Sequence, residues 1–316
     1  MSFFSKCGVK FDPASDTPPP PPTLDGKVIL VTGGNVGLGK ESIFQLARHN
    51  PAAIWLAARS RAKGEDARAE IQREVPNAPI HLLDLDLGSF RSVIQAARTM
   101  LESTDRLDIL MLNAGIMAHP AGVTAEGYEV QFGTNHMGHA LLTKLLLPLL
   151  LRTSAAPDAD VRVNCLSSMG HNWASPEGIR FDSLCSTAEG MNTWTRYGQS
   201  KLANILFARV LAQQYPQLTV VAVHPESVQT NLNTVVTETA LPRVSGVVSK
   251  ITSLWLKTVQ DGAKNQLWAS TSREVKTGEY YEPVGVLNKA SARALNAELA
   301  MELWKWPEKE LEPITV

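Results

Sequence analysis

From Gly26 onward, short aliphatic or β-branched runs alternate with longer stretches of helical periodicity, the rhythm of parallel strands joined by crossover helices. The runs predict strands at 27–32, 53–58, 80–85, 107–112, 161–166, 219–223 and 279–283, with helices beginning near Leu38, Arg61, Ser89, Gly127, Arg196 and Gly262. Most of the strand segments are apolar throughout instead of alternating, as expected where helices cover both faces of a sheet. The predicted fold class is therefore α/β, a doubly wound parallel sheet in a single domain at 26–316. Such sheets bind ligands beyond the carboxyl ends of their strands, so chemistry is sought there.

Residues 1–25 break this rhythm. They end in the run Pro18–Pro22, which favours polyproline II and cannot join a central strand, so they are expected to be a tail. A chain of 316 residues with 44% hydrophobic content can bury one large core. A net charge of −1, with Lys and Arg scattered, excludes a nucleic-acid footprint and points to a small-molecule partner. Cys7, Cys165 and Cys185 form no Cys-x-x-Cys pair, which argues against a disulfide framework or a metal site and for a reducing, cytoplasmic setting. The most apolar run, Ala140 to Leu151, is interrupted by Lys144 and Pro148.

The first strand enters Thr32-Gly33-Gly34-Asn35-Val36-Gly37-Leu38-Gly39, and a helix follows at once. Glycines there permit positive φ and close backbone approach, and the amides at a helix N-terminus favour a pyrophosphate. The spacing, T-G-x-x-x-G-x-G, resembles the short-chain dehydrogenase/reductase family, in which the glycines matching Gly33, Gly37 and Gly39 form the cofactor turn. Asn35 and Leu38 lie within the same turn. The second strand ends at Arg59-Ser60, where an NAD-binding protein would offer a carboxylate. Arg59 instead suits a 2′-phosphate, with Ser60 and Lys63 as helpers, so the expected cofactor is NADP(H). Asp86, followed by Leu87, matches the family's adenine-contacting position, with Asp84 two residues earlier as the alternative register.

Tyr197 and Lys201 are four residues apart on one helical face. A free phenol, with a pKa of about 10, is a poor proton donor or acceptor at neutral pH, and a neighbouring ammonium lowers that value. Ser168 closes the fifth strand and would open onto the same crevice. Asn113-Ala114-Gly115 closes the fourth, and Asn135 lies on the next helix in Asn135-His136-Met137-Gly138-His139. The resemblance implies that Ser168, Tyr197, Lys201 and Asn135 are catalytic. It assigns the counterpart of Asn113 to steadying the cofactor side of the sheet and that of Asn135 to holding a relay water. It extends from about Lys27 to Trp304 as a Rossmann fold. The motifs around Arg59, Asn135 and Ser168-Met169-Gly170-His171 are similar to the branch containing retinol dehydrogenases and protochlorophyllide reductase. After the sixth strand the family reads proline-glycine, whereas this chain has Pro225-Glu226, with Val228 and Thr230 still matching as cofactor residues.

The implied reaction is hydride transfer between NADPH and a carbonyl or alcohol. Trp173, Trp194 and Trp255, with Leu232 and Leu254, suggest a hydrophobic substrate pocket, to which Met117 and His119 are candidates to contribute. A lid is expected at about 226–260. The apolar span 241–257 is read as part of that lid in preference to a membrane-resting segment. Apolar stripes at 137–151 and 202–212 offer a surface for a homodimer. The same scaffold would also serve a C=C double-bond reductase or an epimerase, or a non-catalytic NADP(H)-sensing protein.

Overall fold

All seven expected strands form in the computed structural model, which describes residues 21–225 and 258–315. The expectations for the tail before residue 21, and for Glu226, Val228, Thr230, Leu232, Leu254, Trp255 and most of the lid, lie outside the described residues. In chain order, β1 (Val28–Thr32), α1 (Gly37–Ala47), β2 (Ala53–Ala58), α2 (Arg61–Glu74), β3 (Ile80–Asp84), α3 (Phe90–Ser103) and β4 (Ile109–Leu112) build the first half. A helical run, α4, follows, in which α-helical Val130–Phe132 and Gly138–Ser154 flank a π-helical turn, Gly133–Met137. Then come β5 (Arg162–Leu166), α5 (Thr193–Gln214), β6 (Thr219–Val223), α6 (Val259–Thr271), β7 (Tyr280–Tyr281) and α7 (Ala297–Leu311).

The sheet order is β3-β2-β1-β4-β5-β6-β7, with every neighbouring pair parallel. The order reverses between β1 and β4, so the loops after these two strands diverge and leave a crevice. Strands β1 and β5 are buried along their whole length because helices cover both faces. Ile43 of α1, Ala67 of α2 and Leu267 of α6 pack on one face, and Val93 of α3, Leu146 of α4 and Leu206 of α5 pack on the other. Edge strand β3 is only partly buried, with Ile80 and Leu83 covered, and ends at Asp84, earlier than its apolar run suggested. The last strand shrinks from an expected five residues to Tyr280–Tyr281.

The terminal helix α7 was not expected. Its N-cap is Asn296, whose Oδ1 accepts from the amides of Glu298 (2.9 Å) and Leu299 (3.1 Å). It lies on the stripes that the sequence offered to a second subunit. Trp304 stacks on Phe207 of α5 at 5.5 Å, Trp306 meets Phe132 and Tyr128 edge-on, and Lys144 of α4 donates to the Leu311 carbonyl. Leu299, Leu303, Pro307 and Leu311 are buried beneath it, whereas Glu298, Glu302, Lys305, Glu308 and Lys309 face outward. Among the described residues, no helix is long and apolar enough to cross a membrane, and no cluster of His, Cys, Asp and Glu is placed to hold a metal ion.

Candidate functional site

A cavity of about 420 Å³ lies at the carboxyl ends of the strands. Its walls include Gly33, Asn35, Gly37 and Leu38 of the glycine turn, Arg59, Ser60 and Lys63 after β2, Asp86 and Leu87 after β3, and Asn113, Ala114 and Gly115 after β4. Gly33 and Gly37 have φ of +66° and +55°, the left-handed region that a bulkier residue resists. No side-chain hydrogen bond caps α1, so its N-terminus presents backbone amides to an anion, whereas α2 is capped by Ser60. Gly39 does not line the cavity. A Cβ there would sit 2.3 Å from the Gly33 carbonyl oxygen and 2.6 Å from Asn113 Nδ2, so its role is to let α1 close against the turn. Asn113 completes that closure, with Nδ2 donating to the Thr32 carbonyl at 2.8 Å and Oδ1 accepting from Gln266 Nε2 at 3.3 Å.

The two acidic registers at the end of β3 separate cleanly. Asp84 is exposed and pairs with Arg61 at 3.3 Å, whereas Asp86 lines the cavity and accepts from the Gly88 amide at 3.0 Å. Arg59 and Lys63 are exposed at the same rim. The groove thus combines a glycine turn at an uncapped helix N-terminus with a separate cationic group at its rim.

Tyr197, Lys201 and Pro225 are not among the cavity walls, but Lys201 adjoins them: a Cβ on Gly115 would lie 3.3 Å from Lys201 Nζ and 3.2 Å from Asn135 Oδ1. Lys201 Nζ also donates to the carbonyl of Leu166, a wall residue, at 3.0 Å, and lies 5.8 Å from the Tyr197 ring centroid. Burial pushes the Lys201 ammonium down to about 8. Burial likewise pushes the Tyr197 phenol up to about 12, opposed by a hydrogen bond from Ser168. The sequence reading expected the lysine to lower the phenol below its ordinary value. Here desolvation of the phenolate outweighs the available stabilisation.

Asn135 sits on the π-helical turn, a local distortion often found at functional sites. Its Oδ1 accepts from the Ile116 amide at 2.8 Å, and its Nδ2 donates to the Ile116 carbonyl and to Ser200 Oγ, both at 2.9 Å. It thus braces the loop after β4 against the helix carrying Tyr197 and Lys201. Sequence reasoning missed the partners in this frame. Buried His139 bridges the Asn135 carbonyl (3.0 Å) and Thr32 Oγ1 (2.9 Å), and burial holds its imidazole down at about 3, in the neutral form. Buried Arg196 pairs with buried Glu129 at 3.0 Å and ties the first turn of α5 to α4. The signal was available only as polar residues inside apolar stretches.

Trp173 is exposed, meets Trp194 edge-on at 5.5 Å and lies 6.3 Å from the Tyr197 ring. Met117 and His119 join the cavity wall.

Residues 27–172 match the family model described as short chain dehydrogenase. The chain is 39% identical over 305 residues to the short-chain dehydrogenase/reductase drtF of Aspergillus calidoustus, covering 92% of this chain and 95% of that protein. It is 36% identical over 287 residues to human retinol dehydrogenase 13, covering 89% and 83% respectively. A crystal structure of an uncharacterized protein from Mycobacterium paratuberculosis superposes with a TM-score of 0.72 at 29% identity, over 92% of this chain and 96% of that one. A short-chain dehydrogenase from Shigella flexneri, solved with NADP, shares the fold with a TM-score of 0.61 at 24% identity, over 81% and 96%.

Proposed function

The chain belongs to the short-chain dehydrogenase/reductase family, and from that premise we propose that it is an NADP(H)-dependent member that reduces the carbonyl group of a hydrophobic small molecule. The observation that carries this reading is the Ser168–Tyr197–Lys201 cluster adjoining a cavity that also takes in Arg59, Ser60 and Lys63. The glycine turn and the N-terminus of α1 would hold the pyrophosphate, Arg59 the 2′-phosphate, and Asp86 with Leu87 the adenine side. When bound, the nicotinamide supplies the hydride for the carbonyl carbon.

The remaining steps belong to the chain. The Ser168 hydroxyl accepts from the Gly170 amide at 3.0 Å, which fixes its oxygen and leaves its own proton for a partner. That proton would be given to the substrate oxygen and polarise the carbonyl. The phenol stays protonated through neutral pH, so it can give its proton to the same oxygen as negative charge develops there. Lys201, largely charged at pH 7, would stabilise the phenolate left behind. A phenol that holds its proton is better matched to carbonyl reduction than to alcohol oxidation, which needs the phenolate first. Trp173 and Trp194 beside Tyr197 favour an apolar substrate.

The test is binding of NADPH and NADH, side by side with carbonyl reduction, in the parent chain, Arg59→Ala and Tyr197→Phe. Loss of a charge-assisted contact worth about 1.5–3 kcal/mol should weaken NADPH about 10- to 150-fold in Arg59→Ala and leave NADH unchanged. Tyr197→Phe should bind NADPH like the parent and lose turnover. Equal affinity for the two nucleotides in the parent would remove the NADP(H) assignment, and turnover retained in Tyr197→Phe would remove the mechanism.

A further inference from the structure

We propose that His171 is a positioning residue for Ser168, held in one tautomer by the C-terminal segment at Ser291–Arg293, so that this distant segment controls the geometry of carbonyl activation. The proposal rests on the reading of Ser168 given above and gives a role to His171, which the Ser168-Met169-Gly170-His171 motif contains without one.

Ser168 is the N-cap of the short 3-10 helix Met169–Trp173, and its carbonyl is gripped twice: by the His171 amide at 3.0 Å and by His171 Nδ1 at 2.8 Å. A carbonyl oxygen only accepts, so Nδ1 carries the proton. Nε2 of the same ring faces the Ser291 amide at 3.1 Å, and an amide only donates, so Nε2 is the acceptor. The two contacts together specify a neutral imidazole with its proton on Nδ1, linking residues 120 apart in sequence. The ring is fully buried and packs edge-on against Tyr280 at 5.1 Å.

A second grip lies two residues further on. The Arg293 guanidinium donates to the carbonyls of Asn172 (2.9 Å), Ala174 (2.7 Å) and Ser175 (2.5 Å). These contacts press the 3-10 helix onto α5 at a place with no room to spare. A Cβ on Gly198, the neighbour of Tyr197, would lie 2.5 Å from the Ala174 amide nitrogen and 2.7 Å from the Gly170 carbonyl oxygen. The segment therefore fixes the Ser168 loop against the very turn of α5 that presents the phenol. Because reacting groups displaced by about 1 Å lose on the order of a hundredfold in rate, slackness here would be read in turnover and not in cofactor affinity.

The experiment uses the full chain with His171→Asn, His171→Phe and Arg293→Gln. Asparagine can return a donor near the Nδ1 position, and phenylalanine cannot. The expected result is an NADPH affinity equal to the parent's in all three and a kcat lowered tenfold or more in His171→Phe. Recovery to within about threefold is expected in His171→Asn. Arg293→Gln, which leaves the histidine intact, should lower kcat with little change in KM. A folded His171→Phe or Arg293→Gln with the parent's kcat would overturn the proposal, as would equal kcat in the Asn and Phe variants. Nitrogen-15 histidine spectra of the parent supply a readout that needs no substrate. A proton on Nε2 of His171 refutes the clasp, whereas a parent that binds NADPH but reduces no carbonyl refutes the proposed reaction and leaves the clasp standing on its spectrum.

Discussion

Replacing Lys201 with methionine should stabilise the fold while removing turnover, and the size of the gain follows from the burial of the ammonium. Its pKa falls from 10.5 to about 8, and at about 1.4 kcal/mol per pH unit the charged form costs the native state about 3.4 kcal/mol. Methionine keeps much of the stem's length and needs no hydration. Against this stands the lost hydrogen bond to the Leu166 carbonyl, about 1 kcal/mol. That carbonyl is not orphaned, because Asn204 Nδ2 donates to it at 3.0 Å. The net expectation near pH 6.5 is a gain of about 2 kcal/mol. With an unfolding entropy of about 2.1 cal/mol/K per residue over the chain, that corresponds to a rise in Tm of about 3 °C. The gain must also depend on pH in a defined sense. Between pH 8 and 10.5 the unfolded chain binds the lysine proton and the native state does not, so the parent gains stability as pH rises through that window. The methionine variant has no such dependence. Its advantage should be full below pH 8, shrink above it, and reverse to a deficit of about 1 kcal/mol beyond pH 10.5, where only the lost hydrogen bond counts. Urea unfolding of both proteins at pH 6.5, 8, 9.5 and 10.5 reads this directly. A variant less stable than the parent at pH 6.5, or a difference independent of pH, would refute the reasoning.

Other expectations follow from neighbouring features. Arg196→Met strands the buried Glu129 carboxylate and should cost about 3–5 kcal/mol in urea unfolding, whereas Arg196→Met/Glu129→Gln should recover most of that loss. Because α7 covers the stripes of α4 and α5 and turns a charged face outward, sedimentation equilibrium is expected to give a single species at the chain mass of 34.4 kDa; a dimer joined through α4 and α5 would contradict the covering role of α7. Trp173→Ala should raise KM for aromatic carbonyls about tenfold, roughly the worth of one aromatic contact, and leave small aliphatic carbonyls unchanged; steady-state kinetics on both substrate types decides it.

The sheet was legible because a strand covered on both faces tends to be apolar throughout, and this chain writes β2 and β4 as such runs and β1 and β6 with a single terminal Thr, whereas β5 carries buried Arg162 and Asn164. That the glycine turn, Arg59 and Asp86 would share one cavity was legible because a parallel sheet gathers the loops after its strands at one end. Helix α7 escaped because its signature, an Asn N-cap followed by an amphipathic stretch, is interrupted by Pro307 and lies beyond the last strand. Its consequence escaped too: the apolar faces of α4 and α5 announce only that something covers them, and the pattern does not say whether the cover is another subunit or the chain itself. The position of the phenol's pKa was equally hidden, since the spacing of Tyr197 and Lys201 fixes their proximity but not the desolvation that both undergo.

The frame around the reacting groups explains why so many polar side chains are buried where apolar ones would be cheaper. Thr32 Oγ1 receives the Ala114 amide at 3.0 Å and touches His139, His139 holds the Asn135 carbonyl, and Asn135 reaches Ser200, whose Oγ donates to the Tyr197 carbonyl at 2.7 Å. The chain of contacts runs from the end of β1, beside the phosphate turn, to the residue that would donate the proton. Each link is directional, so it fixes distance and angle in a way that interdigitating aliphatic groups do not. On the other flank, His171 and Arg293 fix the Ser168 loop by the same means. In the proposed reaction a hydride and a proton would have to reach adjacent atoms of one carbonyl, and the groups that would govern them are carried by separate strands and helices. Buried hydrogen bonds between those elements convert a well-packed sheet into a site with one geometry.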